Sequence, residues 1–492
     1  MQTYYIDSVK GCDTHSGITP HQPLKSLAAV NALSLQPGDS LLFRRGTVYF
    51  GCLSLSADGS ENAPIFIGTY GEGENPQIIA GKDNYNTVEI FGRYLTLDSL
   101  GIQNPTGGRG MLIINNRGGA ANRITVRNCV FQNIKSDTYN HETGGLVVRT
   151  DGDEPAWFED LLIENNTFLN VSRSGIFVTG IWADRPVPGW GKNQYISDDE
   201  GWYPHRRVTV RGNYMDHIGG DGIVVIGTVD CLMEHNRLFH AQCEDHAGNF
   251  CAGIWPMNCN HVVVQYNEVG YTHLGKGGDG EGFDIDSNCK DVLFQYNYSH
   301  HNDGGFLLIC CCQFNEGIVV RYNVSVNDTC QRGRATFTIS GPNSGAQIYH
   351  NTIYLGEGSS YDFKLVEAAD YQNCGGSTDF TFYNNLFVVA KDRVVSGYFD
   401  KQTGFVFDNN VYSGMEPFSH SNITTSRSQC VTPTFVLAEQ TGYGRETARA
   451  YTPVRSEWMS KAIPAEDERD FFGNPVKDMT FYGAICPQDI TG

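Results

Sequence analysis

The chain has 492 residues, 40% hydrophobic and 12% aromatic, with 55 acidic against 35 basic side chains and a formal net charge of −20. That composition belongs to a folded soluble protein, and the charge disfavours nucleic acid or an anionic membrane as partner through long-range repulsion. No apolar run approaches the ~20 residues that span a bilayer, and no Gly/Ser-rich or biased stretch marks a linker between domains.

The opening MQTYYIDSVKGCDTHSG lacks the basic and apolar regions of a secretory signal. Fifteen cysteines, odd in number and including the run Cys310, Cys311 and Cys312, fit a reducing compartment better than a disulfide framework. A cytoplasmic location is therefore expected.

Between residues 120 and 415 one short pattern returns: alternating apolar residues, two polar positions, an asparagine, then another apolar strand. Its asparagines are Asn166, Asn213, Asn236, Asn267, Asn297, Asn323, Asn351, Asn385 and Asn410, with Cys129 in the same slot. From Asn213 onward the spacings are 23, 31, 30, 26, 28, 34 and 25 residues, as expected of a fixed rung carrying loops of different length. Period-2 alternation, β-branched residues and a polar residue at a fixed place predict short parallel strands stacked coil on coil. The fold class is all-β, a right-handed parallel β-helix. The asparagines are expected at one corner, satisfying buried polar backbone and one another. One continuous solenoid is expected, with 1–120 as N-terminal cap and first coils, 121–429 as core and 430–492 as C-terminal coil and cap.

A second strand follows in each coil, SGIFVTG, DGIVVIG, AGIWPMN, EGFDIDS, GGFLLIC and ATFTISG. Aligned on the residue after the small one, Ile176, Ile223, Ile254, Phe283, Phe306 and Phe337 form an inward column. The outward column then holds Phe177, Val224, Trp255, Asp284, Leu307 and Thr338, with Asp286 and Ile309 in the next one out. Aromatic, aliphatic and acidic side chains together suit a ligand groove.

The longest insertion, between Asn166 and Asn213, contains Trp190 and Trp202 in a Gly/Pro-punctuated loop, suited to stacking on sugar faces. His246 lies in a loop entering the same face. Then Glu281, Asp284, Asp286 and Asp303 crowd one stretch, with Asp291 between them. Asp303 falls 22 residues after Glu281, and stacked coils lie ~4.8 Å apart, so Glu281 and Asp303 are expected to be neighbours. Two carboxyls on one cleft are what glycosidic cleavage needs, one as acid and one as nucleophile or base. Asp284 and Asp286, at i and i+2, share a face and serve as partners or replacements. Arg334 occupies the position of Asp303 in the following coil, and His301 precedes Asp303. Both are candidates for substrate binding beside Trp255.

The start YYIDSVKGCDTHSGITPHQPLKSL and the end DFFGNPVKDMTFYGAI resemble the cap and last rung of right-handed parallel β-helix carbohydrate-active enzymes. GEGFDI followed by NDGGFLL is similar to the polygalacturonase pair NTDGFDI and DD. On that match Glu281 takes the place of the first aspartate and Asp303 that of the acid, with Gly304 where the second aspartate of the pair would stand. A looser match is to the β-xylosidases and lacto-N-biosidases of this fold.

The expected function is hydrolysis of short oligosaccharides by two carboxylates on the exposed face of the helix. No cofactor is called for, although Ca²⁺ could be held by Asp284 and Asp286. The alternatives are a Ca²⁺-dependent polysaccharide lyase with Lys276 or Arg334 as base, and a carbohydrate-binding β-helix without activity. The expected partner is the oligosaccharide itself, with room for a homo-oligomer in which another subunit completes the groove.

Overall fold

The computed structural model describes residues 1–136, 139–183, 185, 201–243, 250–276, 278–310, 314–328, 335–356, 363–370, 373–390, 395–436 and 443–489. The described strands pair in parallel, coil on coil, into three sheets. No helix among the described residues is long and apolar enough to cross a membrane. The chain divides into two compact units, the first formed by 1–186, 197–232 and 236–249, the second by 187–196, 233–235 and 250–492.

In the first unit the coils begin at the N-terminus, where Thr3–Ile6 pairs in parallel with Ser40–Arg44. Strands of the solenoid thus lie within the stretch 1–120, expected as N-terminal cap and first coils. A short helix, Leu27–Asn31, is started by Ser26, whose hydroxyl accepts from the Ala29 amide at 3.2 Å. On the sheet that holds Arg109–Asn115, Gly144–Thr150, Ser174–Gly180 and Ile223–Ile226 the inner column runs Met111, Leu146, Ile176 and Ile223 in register, all with no exposed surface.

The asparagine ladder forms as expected. In the first unit Asn213 Oδ1 accepts from both the amide and the side-chain nitrogen of Asn166, each at 3.0 Å, and Asn236 does the same for Asn213. Cys129 joins the ladder through its backbone, its amide donating to Asn166 Oδ1 at 3.0 Å. In the second unit the ladder continues unbroken from Asn267 through Asn297, Asn323, Asn351 and Asn385 to Asn410. The residue before each rung adopts the left-handed conformation, as Tyr266, Tyr296, Tyr322 and His350 do with φ between 50° and 57°. Such residues are strained there, and ring stacking helps hold them: Tyr266 on Tyr296 at 5.0 Å, Tyr322 on His350 at 4.9 Å.

In the second unit the C-terminal segment does not continue the coils. Ala448, Tyr451, Phe471, Ala484 and Ile485 pack against Tyr298, Val324 and Val326, the outward side of the strands that follow the asparagines. Eleven of the described cysteines are thiols, whereas Cys374 is disulfide-bonded.

Candidate functional site

In the second unit the acidic stretch lies among the neighbouring strands Ile254–Met257, Glu281–Ile285, Gly305–Ile309 and Ala335–Ser340. Every residue of Glu281–Ile285 is buried, and so is every residue of Gly305–Ile309. Burial on both faces explains the near-continuous apolar sequence of Gly305–Ile309. Trp255 is 8% exposed and Asp284 5%, so the outward column is not an open surface.

The register corrects the sequence alignment by one residue. Phe283 pairs with Leu307, and Leu307 with Phe337, so Asp284 stands beside Leu308, not Leu307. Phe306 stays in the core, its ring against Phe283, Phe294 and Phe337. The extra residue is taken up at Gly305, whose φ of +126° is open to glycine. A one-residue slip exchanges the faces of all that follows, which is why Leu307, Leu308 and Ile309 trade places.

Asp303 lies outside this pairing. Glu281 pairs with Gly305, and the Gly304 amide donates to the Gly280 carbonyl at 2.9 Å. The Asp303 amide instead donates to the Thr272 carbonyl at 2.8 Å. Asp303 accepts from the Leu274 amide at 3.2 Å and lies 3.7 Å from His273 Nδ1, with a quarter of its side chain exposed. Glu281 has no exposed surface.

Gly304 lies against this start of the strand. A Cβ there would come 2.3 Å from the Asp279 carbonyl oxygen and 2.5 Å from the Glu281 nitrogen. No side chain fits, so the second aspartate of the polygalacturonase pair has no place in this chain.

At the other end of the strand Asp284, Asp286 and Cys310 converge, with donor atoms all within 4.8 Å of one another. Cys310 Sγ is 3.7 Å from Asp284 Oδ1 and 3.5 Å from Asp286 Oδ1. Asp286 Oδ1 also accepts from the Ser287 amide at 2.6 Å and hydroxyl at 3.0 Å. A set containing a thiol departs from the all-oxygen shell that calcium takes. The CCC run signalled Cys310, but only as a marker of redox compartment.

The remaining candidates are dispersed. His301 stacks on Tyr271 at 5.1 Å and meets Asn327 at 3.5 Å, and burial, with His300 beside it, lowers its pKa to about 4. In the first unit Trp202 carries the Arg185 guanidinium over its ring at 4.1 Å and donates to the Ala183 carbonyl at 2.7 Å. Trp190, His246 and Arg334 lie outside the described residues.

Residues 109–269 match the family model of the right handed beta helix region. A lacto-N-biosidase of Bifidobacterium longum subsp. longum is 26% identical over 98% of this chain and 36% of its own length. A crystal structure of a GH136 lacto-N-biosidase from Eubacterium ramulus superposes with a TM-score of 0.64 at 27% identity, covering 81% of this chain and 68% of that one. The chain is a right-handed parallel β-helix similar to the lacto-N-biosidases. This β-helix spans just over a third of the length of the curated relative it matches. A complex of XylC with xylose shares the fold at a TM-score of 0.57 with 11% identity over 99% of both chains.

Proposed function

We propose that this lacto-N-biosidase-like β-helix is a glycoside hydrolase that cleaves lacto-N-biosides from oligosaccharides, using the carboxylates at the end of strand Glu281–Ile285. The observation that carries the reading is the approach of Asp284 and Asp286, whose oxygens lie within 4.8 Å. The similarity to the lacto-N-biosidases supplies the substrate class.

The chemistry divides between them by environment. Asp284, at 5% exposure, suits the protonated acid that gives its proton to the leaving oxygen, because burial disfavours the charged form. Asp286 accepts two hydrogen bonds from Ser287, which favours the ionised form that attacks the anomeric carbon. A separation this short belongs with retaining hydrolysis. Burial of the face around Asp284 excludes water and strengthens these interactions. Glu281 and Asp303, the pair indicated by the sequence, remain the competing assignment.

The test is release of lacto-N-biose from a p-nitrophenyl lacto-N-bioside, comparing Asp284→Asn, Asp286→Asn, Asp303→Asn and Glu281→Gln. Loss confined to the first two supports the proposed pair. Loss confined to the last two moves the chemistry to the start of the strand, and no release by the parent chain overturns the activity.

A further inference from the structure

In the first unit, a group of side chains outside the proposed active site converges at a corner of the solenoid. The strands Tyr214–Ile218 and Arg237–Phe239 are consecutive rungs, with Asp216 in register with Phe239. One residue further along each, His217 and His240 occupy the same left-handed corner position, with φ of 58° and 54°. Because the rungs stack, their rings come to 4.7 Å between centroids. Both Nδ1 atoms point at one oxygen: His217 Nδ1 is 2.9 Å from Asp216 Oδ1, and His240 Nδ1 is 2.7 Å from it.

We propose that Asp216, His217 and His240 form a binding site for a divalent transition-metal ion of the Zn²⁺, Ni²⁺ or Co²⁺ class, stapling two consecutive coils. The donor atoms all lie within 4.8 Å of one another, so small side-chain rotations bring them round one ion. Two imidazoles and one carboxylate match borderline cations and not Ca²⁺ or Mg²⁺, which take oxygen ligands. The earlier corner positions of this column, Asn133 and Asn170, share the left-handed conformation but lack a metal-binding nitrogen, so the solenoid itself does not require histidine here. His217 is more than half exposed and Asp216 and His240 about a quarter, which leaves an entry path and room for water as further ligands.

The experiment uses the full chain, stripped with EDTA and dialysed, titrated with Zn²⁺ by calorimetry and with Co²⁺ by absorbance. The expected result is one equivalent of Zn²⁺ bound at micromolar Kd, with a rise of several degrees in Tm because the ion binds the folded chain. Affinity should fall at least tenfold in His217→Ala and in His240→Ala. Co²⁺ should show ligand-field bands without thiolate charge transfer, since a thiolate signal would assign the ion to the Asp284, Asp286 and Cys310 group. Both substitutions sit at solvent-facing corners, and the metal-free Tm of each variant reports whether it has folded. Absence of Zn²⁺ uptake, uptake unchanged in both variants, or a thiolate band would each overturn the proposal.

Discussion

Asp284 and Asp286 stand two residues apart on one strand, with carboxylate oxygens within 4.8 Å, and both reach the thiol of Cys310. Alternation along a strand puts i and i+2 on the same face, and the next rung delivers the thiol against them.

Each of these carboxylates is expected to be indispensable. Asp286→Asn and Asp284→Asn should lower kcat on a p-nitrophenyl lacto-N-bioside by about 10²–10⁴, the usual worth of a positioned acid or base, with little change in Tm. A kcat within tenfold of the parent in both variants would remove the pair from the mechanism.

Gly304 should tolerate no side chain. With a Cβ placed 2.3 Å from the Asp279 carbonyl oxygen, Gly304→Ala must push apart two hydrogen-bonded rungs at the start of the acidic strand. A fall in Tm of several degrees is expected. An unchanged melting curve would show that the rungs are not in this register.

The asparagine ladder should be stabilising at every rung. Asn297 Oδ1 accepts from the Asn267 amide and side chain, and its nitrogen donates to the Val264 carbonyl at 2.9 Å. Asn297→Ala leaves those buried groups without partners, at about 1–3 kcal/mol for each. Thermal denaturation should show a loss of at least several degrees, and a loss below one degree would mean that water replaces the side chain.

Acid should weaken the first unit through His205. The Phe158 amide donates to His205 Nδ1 at 3.1 Å, so the ring proton sits on Nε2 and goes to the Thr179 carbonyl at 2.9 Å. Burial lowers this imidazole to about 4, against ~6.5 when unfolded. Between those values the unfolded chain binds the proton and the folded chain does not. The contribution is therefore complete above pH 6.5 and is lost as pH falls through 4, roughly 3 kcal/mol in all. Asp328, pushed up to about 6 by burial, works with the opposite sign, losing stability as pH rises from 4 to 6. The comparison is therefore between the parent and His205→Gln, which keeps an acceptor and a donor but does not titrate. The glutamine variant should lose less Tm between pH 7 and pH 4, and parallel curves would refute the assignment.

The sequence by itself determined the solenoid. Alternating apolar strands and an asparagine at a fixed place can satisfy one another only by stacking in parallel, and the ladder from Asn267 to Asn410 does so. It also located the acidic strand Glu281–Ile285. What the tertiary structure decided was which acids meet. Partners across rungs depend on register, and one left-handed glycine, Gly305, shifts it by a residue, setting Asp284 beside Leu308 and not Leu307. The contact of Cys310 with two aspartates, the shared oxygen of Asp216 between two histidines, and the return of the C-terminal segment along the coils join residues whose sequence spacing carries no local signal. Periodicity is a property of neighbours along the chain, while a site is made by neighbours across it.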